Sequence, residues 1–344
     1  MKRIILALAL LFPLILWAAS KVQIFLYQDP GFQGDWAKPG RQVITGTPLP
    51  YWHEGTLFTW VKVDLNPGSN VFYVYYGGDN APDKSSGDAV FEFFDDFEGT
   101  DLNTAKWDTD GCIVHSPAGY SVSNGLLYVW NRRGWTTLCG RYEVDVPSRV
   151  VVEEKVYLEG LDSENHYLCL VSSDDKQCFE IEEDWAYKSS GKNLAIFGVK
   201  CNGSWIYHPT NAPILYDVGN MWHIARIEKS GDFTYTAQIL DLNYSVLGTH
   251  TKTFSSTCSR KMLAPVYVKS NSSNRIVVDW VRIRKYAPSP AVYYGREESG
   301  EFVVGDHTFT KRRKVEVVSS VQVSGYQVAL DYSQWGEREI EVVR

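Results

Sequence analysis

Two strand-length segments, about 180 residues apart, bracket most of this chain and constrain its fold more than any other feature. The first is Phe94-Asp95-Asp96-Phe97-Glu98-Gly99-Thr100, running on to Lys106-Trp107. The second is Arg275-Ile276-Val277-Val278-Asp279-Trp280-Val281-Arg282-Ile283-Arg284-Lys285-Tyr286. Both alternate or run apolar over the length of a strand, with many β-branched and aromatic residues. Between them, residues 150–158, 167–171, 179–185, 194–199, 222–228, 234–240 and 266–268 read as further strands. Asn124-Gly125 separates two apolar runs and is a strong hairpin signal, because both residues tolerate the positive φ of a type I′ turn. No segment sustains a helical period, so the region is all-β, as a sandwich requires. The 12 Trp and 21 Tyr suit such sheets, where flat side chains pack across strands.

The two bracketing segments resemble the opening and closing strands of a concanavalin-like jelly roll. Legume lectins, laminin G modules and laminarinase-type glycosidases share that fold. The resemblance covers residues 91–287. It implies a two-sheet sandwich whose first and last strands are neighbours, and it leaves function open, since such sandwiches serve binding, catalysis and structure alike.

The N-terminus has the form of a secretory signal at residues 1–20. Lys2 and Arg3 precede an apolar run from Ile4 to Trp17, which ends on Ala18-Ala19-Ser20. That run is short for a membrane span, which needs about 20 residues. The expectation is a secreted protein starting near Lys21, with no membrane attachment after cleavage. Loss of the two basic residues takes the formal charge from -7 to -9. An acidic chain without a basic stripe is a poor nucleic-acid binder. The one basic run, Lys311-Arg312-Arg313-Lys314, reads as the solvated start of a strand.

All six cysteines, Cys112, Cys139, Cys169, Cys178, Cys201 and Cys258, lie inside the jelly-roll region, and export implies disulfides. Cys169 and Cys178 sit symmetrically about Ser173-Asp174. A two-residue turn there sets them opposite each other at a non-hydrogen-bonded position, within disulfide reach. The other four allow three pairings. Asn202, Asn243 and Asn271 each open an Asn-x-Ser sequon.

Outside the jelly roll, residues 21–48 read as irregular. Strands are expected at 58–65 and 71–76, then at 315–318, 326–330 and 339–343. Residues 288–305 read as a linker. Leu49-Pro50-Tyr51-Trp52-His53-Glu54, Trp60-Val61-Lys62-Val63 and Tyr75-Tyr76-Gly77 are similar to the second half of an uncharacterised small β domain of archaeal and bacterial surface proteins. Lys311 to Val317 and Tyr326-Gln327-Val328 are similar to its first half. The halves here are in reversed order around the jelly roll. Residues 49–90 and 306–344 are each too short to bury a stable core alone. They are expected to form one split domain, within one chain through tethering or between chains as a head-to-tail filament.

Laminarinase-type glycosidases carry Glu-x-Asp-x-Glu on a concave strand, and Glu180-Ile181-Glu182-Glu183-Asp184-Trp185 is the nearest counterpart. Alternation puts Cys178, Glu180, Glu182 and Asp184 on one face, toward solvent or the groove, and Phe179 and Ile181 in the core. The middle Asp of the family pattern is Glu182 here, the last Glu is Asp184, and Cys178 intrudes. The jelly-roll resemblance also implies a structural Ca2+ held by Asp279, with Asp96 and Glu98 near it, since hard oxygen donors suit that ion. Glycan contact is expected from aromatic faces beside polar groups, at Trp130, Arg132, Trp135 and Trp205. The expected function is a secreted, non-catalytic surface protein for attachment, glycan recognition or assembly. The alternatives are a laminarinase-like retaining hydrolase acting through Glu180, Glu182 and Asp184, and a self-associating filament subunit.

Overall fold

The computed structural model describes residues 25–28, 41–44, 47–78, 82–110, 116–130, 136–144, 148–159, 165–172, 178–184, 194–207, 214–254, 262–264, 269–270 and 275–335. The signal segment 1–20, the strands expected at 266–268 and 339–343, Trp185, Arg132, Trp135, Cys112, Cys258 and Asn271 lie outside these. Among the described residues no helix is long and apolar enough to cross a membrane.

The chain is all-β, a concanavalin-like jelly roll joined to a second small β domain built from the two flanks. The jelly roll has two eight-stranded sheets. The first runs, in spatial order, Gly119–Ser123, Leu126–Trp130, Arg275–Lys285, Val150–Leu158, Trp222–Lys229, Thr234–Leu240 and Val246–Thr253, and Phe93–Asp95 also pairs with Arg275–Lys285. The two bracketing segments are therefore antiparallel neighbours, Val281 opposite Asp95. The second sheet is centred on Asn165–Val171, Cys178–Asp184 and Leu194–Cys201, with Ser204–Tyr207 at one edge. The core between the sheets holds Val152, Val156, Phe179, Ile181, Phe197, Ala225, Ile227, Ile276, Val278 and Ile283. Asn124 and Gly125 both take positive φ and close their hairpin with Ser123 opposite Leu126.

A bulge in Arg275–Lys285 decides what the first sheet shows to its other side. Lys155 pairs with Trp280 and Val156 with Val278, so Asp279 is the extra, unpaired residue. Before it, Ile276 and Val278 face the core. After it, Val281 and Ile283 do. The shift turns Trp280, Arg282 and Arg284 out of the sandwich and toward the flanking domain.

That domain is itself two sheets. One has six strands in the order Arg41–Ile44, Ala291–Val304, His307–Ser319, Gly68–Tyr76, Phe25–Gln28 and Thr47–Pro48. The other has Val323–Asp331, Phe58–Leu65 and Tyr51–Glu54. The N- and C-terminal flanks meet in both, Gly68–Tyr76 against His307–Ser319 and Phe58–Leu65 against Val323–Asp331. Val61, Val63, Phe72, Val74, Val315, Val317, Val328 and Leu330 form the shared core.

Three expectations are corrected. The irregular N-terminal stretch contributes three short strands. Residues 291–304 are not linker but a 14-residue strand, whose polar, two-bulge sequence hides its period. The basic run lies inside a strand, paired with Tyr73 to Tyr76. There Arg312 is buried, stacked 4.7 Å over Phe302 and 5.1 Å over Tyr73, and ion-paired to Glu298 at 2.7 Å.

A buried charge cluster fastens the two domains. Arg282 lies 4.0 Å over both Trp60 of the flank and Trp280 of the jelly roll. Its guanidinium donates to Glu54 at 2.7 Å, to Glu153 at 2.7 Å and to the Tyr244 hydroxyl. Glu153 also accepts from Arg226 at 2.6 Å and from Arg284 at 3.2 Å. Burial alone raises the pKa of Glu153, but Arg284, Arg282 and Arg226 outweigh it and hold the carboxyl well below its ordinary value. Trp52, Phe91, Phe94, Ile224 and Leu240 surround the cluster with apolar surface.

Candidate functional site

The acidic strand Cys178–Asp184 is central in the second sheet, between Asn165–Val171 and Leu194–Cys201. Phe179 and Ile181 point into the core as the alternation requires. Glu180 and Glu182 share the opposite face but do not face solvent. Each is 1% exposed. The expectation of an open acidic face is corrected here, because that face is covered. Asp184 ends the strand, and its side chain lies outside the described residues.

Gly198, opposite Glu180, makes room on that face. A Cβ at Gly198 would lie 3.0 Å from the Trp205 ring and 3.2 Å from a Glu180 oxygen. The indole of Trp205 and the carboxyl of Glu180 thus meet over a residue with no side chain, and Trp205 stays 43% exposed above it.

The register also moves the cysteines. Val171 is opposite Cys178, and Cys169 is opposite Glu180. Cys169 and Cys178 are therefore diagonal rather than directly facing, and both are buried thiols outside any disulfide. This corrects the expected bridge. The ladder is shifted by two residues from the expected register, which would have set Cys169 opposite Cys178. Cys178 Sγ donates to Glu180 Oε2 at 3.0 Å, and Cys169 Sγ approaches the same oxygen at 3.5 Å. Burial, with Cys178 and Glu180 beside it, pushes the Cys169 thiol well up. Cys139 and Cys201 are disulfide-bonded.

The expected calcium ligands do not converge. Asp279 ion-pairs with Lys155 at 2.5 Å. Asp95 accepts from the Trp107 indole at 2.7 Å and from the Phe97 N–H at 3.0 Å. Burial raises the pKa of Asp96. Glu98 reaches the Asn124–Gly125 turn, where a Cβ on Gly125 would lie 2.9 Å from its carboxylate. Among the described residues the one set of three metal-type side chains with convergent donor atoms is Cys169, Cys178 and Glu180.

The aromatic candidates also separate. Trp130 lies across Gly119, where a Cβ would come within 2.2 Å of its indole nitrogen. Gly119 belongs to one edge strand of the first sheet, whose other edge is Val246–Thr253. Trp205 is on Ser204–Tyr207, which is tied to that far edge by the Tyr207 hydroxyl and His250 Nδ1 at 3.1 Å. Trp130 and Trp205 are therefore at opposite edges of the sandwich. A cleft of about 450 Å³ is lined by Asp101, Thr109, Asp110, Ala118 and Tyr120.

The charge cluster around Arg282 was missed by the sequence reading. Its signal is present in Arg282 and Arg284 alternating with Val281 and Ile283, but alternation marks a second face without saying what covers it.

The family model described as a domain of unknown function (DUF2341) matches residues 43–110. No curated protein matches this chain. Among solved structures, an endo-beta-1,3-glucanase from Pyrococcus furiosus is similar at 14% identity and a TM-score of 0.41, over 58% of this chain and 95% of that one. The catalytic domain of an endo-1,3-beta-glucanase (laminarinase) from Thermotoga petrophila RKU-1 gives 12% and 0.39, over 56% and 96%. The CBM2 module of the evolved Dit of Lactobacillus casei BL23 phage J-1 gives 13% and 0.41, over 56% and 93%. Likeness at this level speaks to neither activity nor substrate.

Proposed function

We propose that this protein is an exported, non-catalytic recognition module that attaches to a surface glycan. One observation carries the non-catalytic reading, the near-complete burial of Glu180 and Glu182. A retaining hydrolase needs two carboxyls flanking a glycosidic bond, with one delivering a proton and the other attacking the sugar. A sugar ring cannot approach carboxyls that are 1% exposed, and Glu180 is already engaged by the two thiols.

Glycan contact is assigned to the cleft lined by Asp101, Thr109, Asp110 and Tyr120. Its volume of about 450 Å³ is in the range of small-ligand sites. Asp101, Asp110, Thr109 and Tyr120 offer the hydrogen-bonding groups that sugar hydroxyls take, and Tyr120 adds an aromatic ring. Trp205 is a second exposed aromatic face, on the other edge. The flanks pair with each other within the chain in both sheets, which supports a monomer over a strand-exchanged filament. A glycan array with wild type and an Asp101→Ala/Asp110→Ala double variant tests this reading. Selective binding lost in the variant supports it, and binding to no glycan would overturn it.

A further inference from the structure

The acidic strand carries a second chemical arrangement, which goes beyond the glycan reading and does not depend on it. We propose that Cys169, Cys178 and Glu180 form a binding site for a thiophilic divalent ion of the zinc type, clamping the Asn165–Val171 and Cys178–Asp184 strands together. The three side chains are buried, and their donor atoms all lie within 4.8 Å of one another. Two edges of the donor triangle measure 3.0 Å and 3.5 Å. A tetrahedral zinc, with metal–sulfur bonds of about 2.3 Å and metal–oxygen bonds of about 2.1 Å, sets sulfur and oxygen about 3.6 Å apart and the two sulfurs about 3.8 Å apart. Against that geometry the 3.5 Å edge lengthens by about 0.1 Å and the 3.0 Å edge by about 0.6 Å.

The donor set selects the ion. Two sulfurs and one carboxylate oxygen favour zinc over calcium or magnesium, which take oxygen. A dication replaces the two thiol protons, which leave for solvent, and meets three anionic ligands. One tetrahedral position is left for a fourth donor. The competing fate of the thiols, a mutual disulfide, is opposed by register. Diagonal residues on antiparallel strands have Cα atoms about 7–8 Å apart, and a disulfide spans at most about 7 Å without backbone movement. The ladder pairs Cys169 with Glu180 and Cys178 with Val171, so these two thiols are such a diagonal pair. The site also explains why a carboxylate and two thiols share a face that a hydrolase would keep open.

The test uses the full mature chain, purified without chelator under anaerobic conditions and titrated with Co2+. The expected result is sulfur-to-cobalt charge-transfer absorption that saturates at one equivalent, bleaches when Zn2+ is added, and is lost in Cys169→Ser and in Cys178→Ser. Glu180→Gln should weaken binding by roughly tenfold, about 1.4 kcal/mol. Near-ultraviolet circular dichroism checks that the variants fold. Should the serine variants not fold, alkylation mass spectrometry on wild type decides: Zn2+ protects Cys169 and Cys178 if the proposal holds. No charge-transfer band, a band that survives loss of both thiols, equal alkylation with and without Zn2+, or recovery of a Cys169–Cys178 disulfide would each overturn it.

Discussion

Replacing Glu153 by Gln removes one negative charge from the centre of the interdomain joint while keeping its shape. In the wild type that carboxylate is fully buried and bonds Arg226 at 2.6 Å, Arg282 at 2.7 Å and Arg284 at 3.2 Å. The amide leaves three guanidiniums close together with no shared counter-charge, and Glu54 reaches only Arg282 among them. Removing one partner of a buried ion pair costs about 3–5 kcal/mol, a large part of a typical stability of about 5–15 kcal/mol. With an m-value of about 2–3 kcal/mol/M, the urea midpoint should fall by about 1–2.5 M. Tryptophan fluorescence reads the joint directly, because Trp60 and Trp280 flank Arg282. The pH dependence follows from the depressed pKa of Glu153. Its stabilisation is complete above the ordinary carboxylate pKa and is lost as pH falls through the lower folded value. Wild type and variant should therefore differ at neutral pH and converge in strong acid. A stability within about 0.5 kcal/mol of wild type at pH 7 would refute the reasoning, since ordinary surface substitutions have effects of that size.

Other perturbations have equally definite outcomes. Burial pushes the His223 imidazole down to about 4, and only its Nδ1 has a bond, to the Met221 carbonyl at 3.1 Å. As pH drops from 6.5 toward 4 the unfolded chain takes up a proton that the folded one does not, so stability should fall by roughly 1.4 kcal/mol per pH unit. His223→Asn should flatten that slope in urea titrations at pH 7 and 4.5; parallel slopes would contradict it. Gly248→Ala would set a Cβ 1.9 Å from the Ile214 carbonyl oxygen, a backbone atom that cannot rotate away. It should cost about 1–3 kcal/mol by chemical denaturation, and an unchanged midpoint would show that the backbone there yields.

The fold was legible where local pattern and global pairing agree. Asn124-Gly125 specified its own hairpin, and the apolar runs at 150–158 and 275–286 specified buried strands. The bulge at Asp279 was not legible, because one extra residue leaves composition unchanged while reversing which side chains face the core. That reversal is why Arg282 and Arg284 meet Trp60 and Glu54 from a distant part of the chain. The strand 291–304 was unreadable for a related reason: its polar residues lie on a two-bulge ladder with much of its surface exposed. At the candidate site, alternation correctly separated Phe179 and Ile181 from Glu180 and Glu182. It did not reveal burial of the second face, because alternation marks a face without saying what covers it. The cysteine pairing failed by a two-residue shift of register, which changed facing thiols into a diagonal pair beside a carboxylate.

The most direct test of the central claim is reducing-sugar release from β-1,3-glucan by the purified mature chain, run beside Glu180→Gln. Sealed carboxyls predict no release by either protein. Turnover by the wild type that disappears in Glu180→Gln would contradict the non-catalytic account.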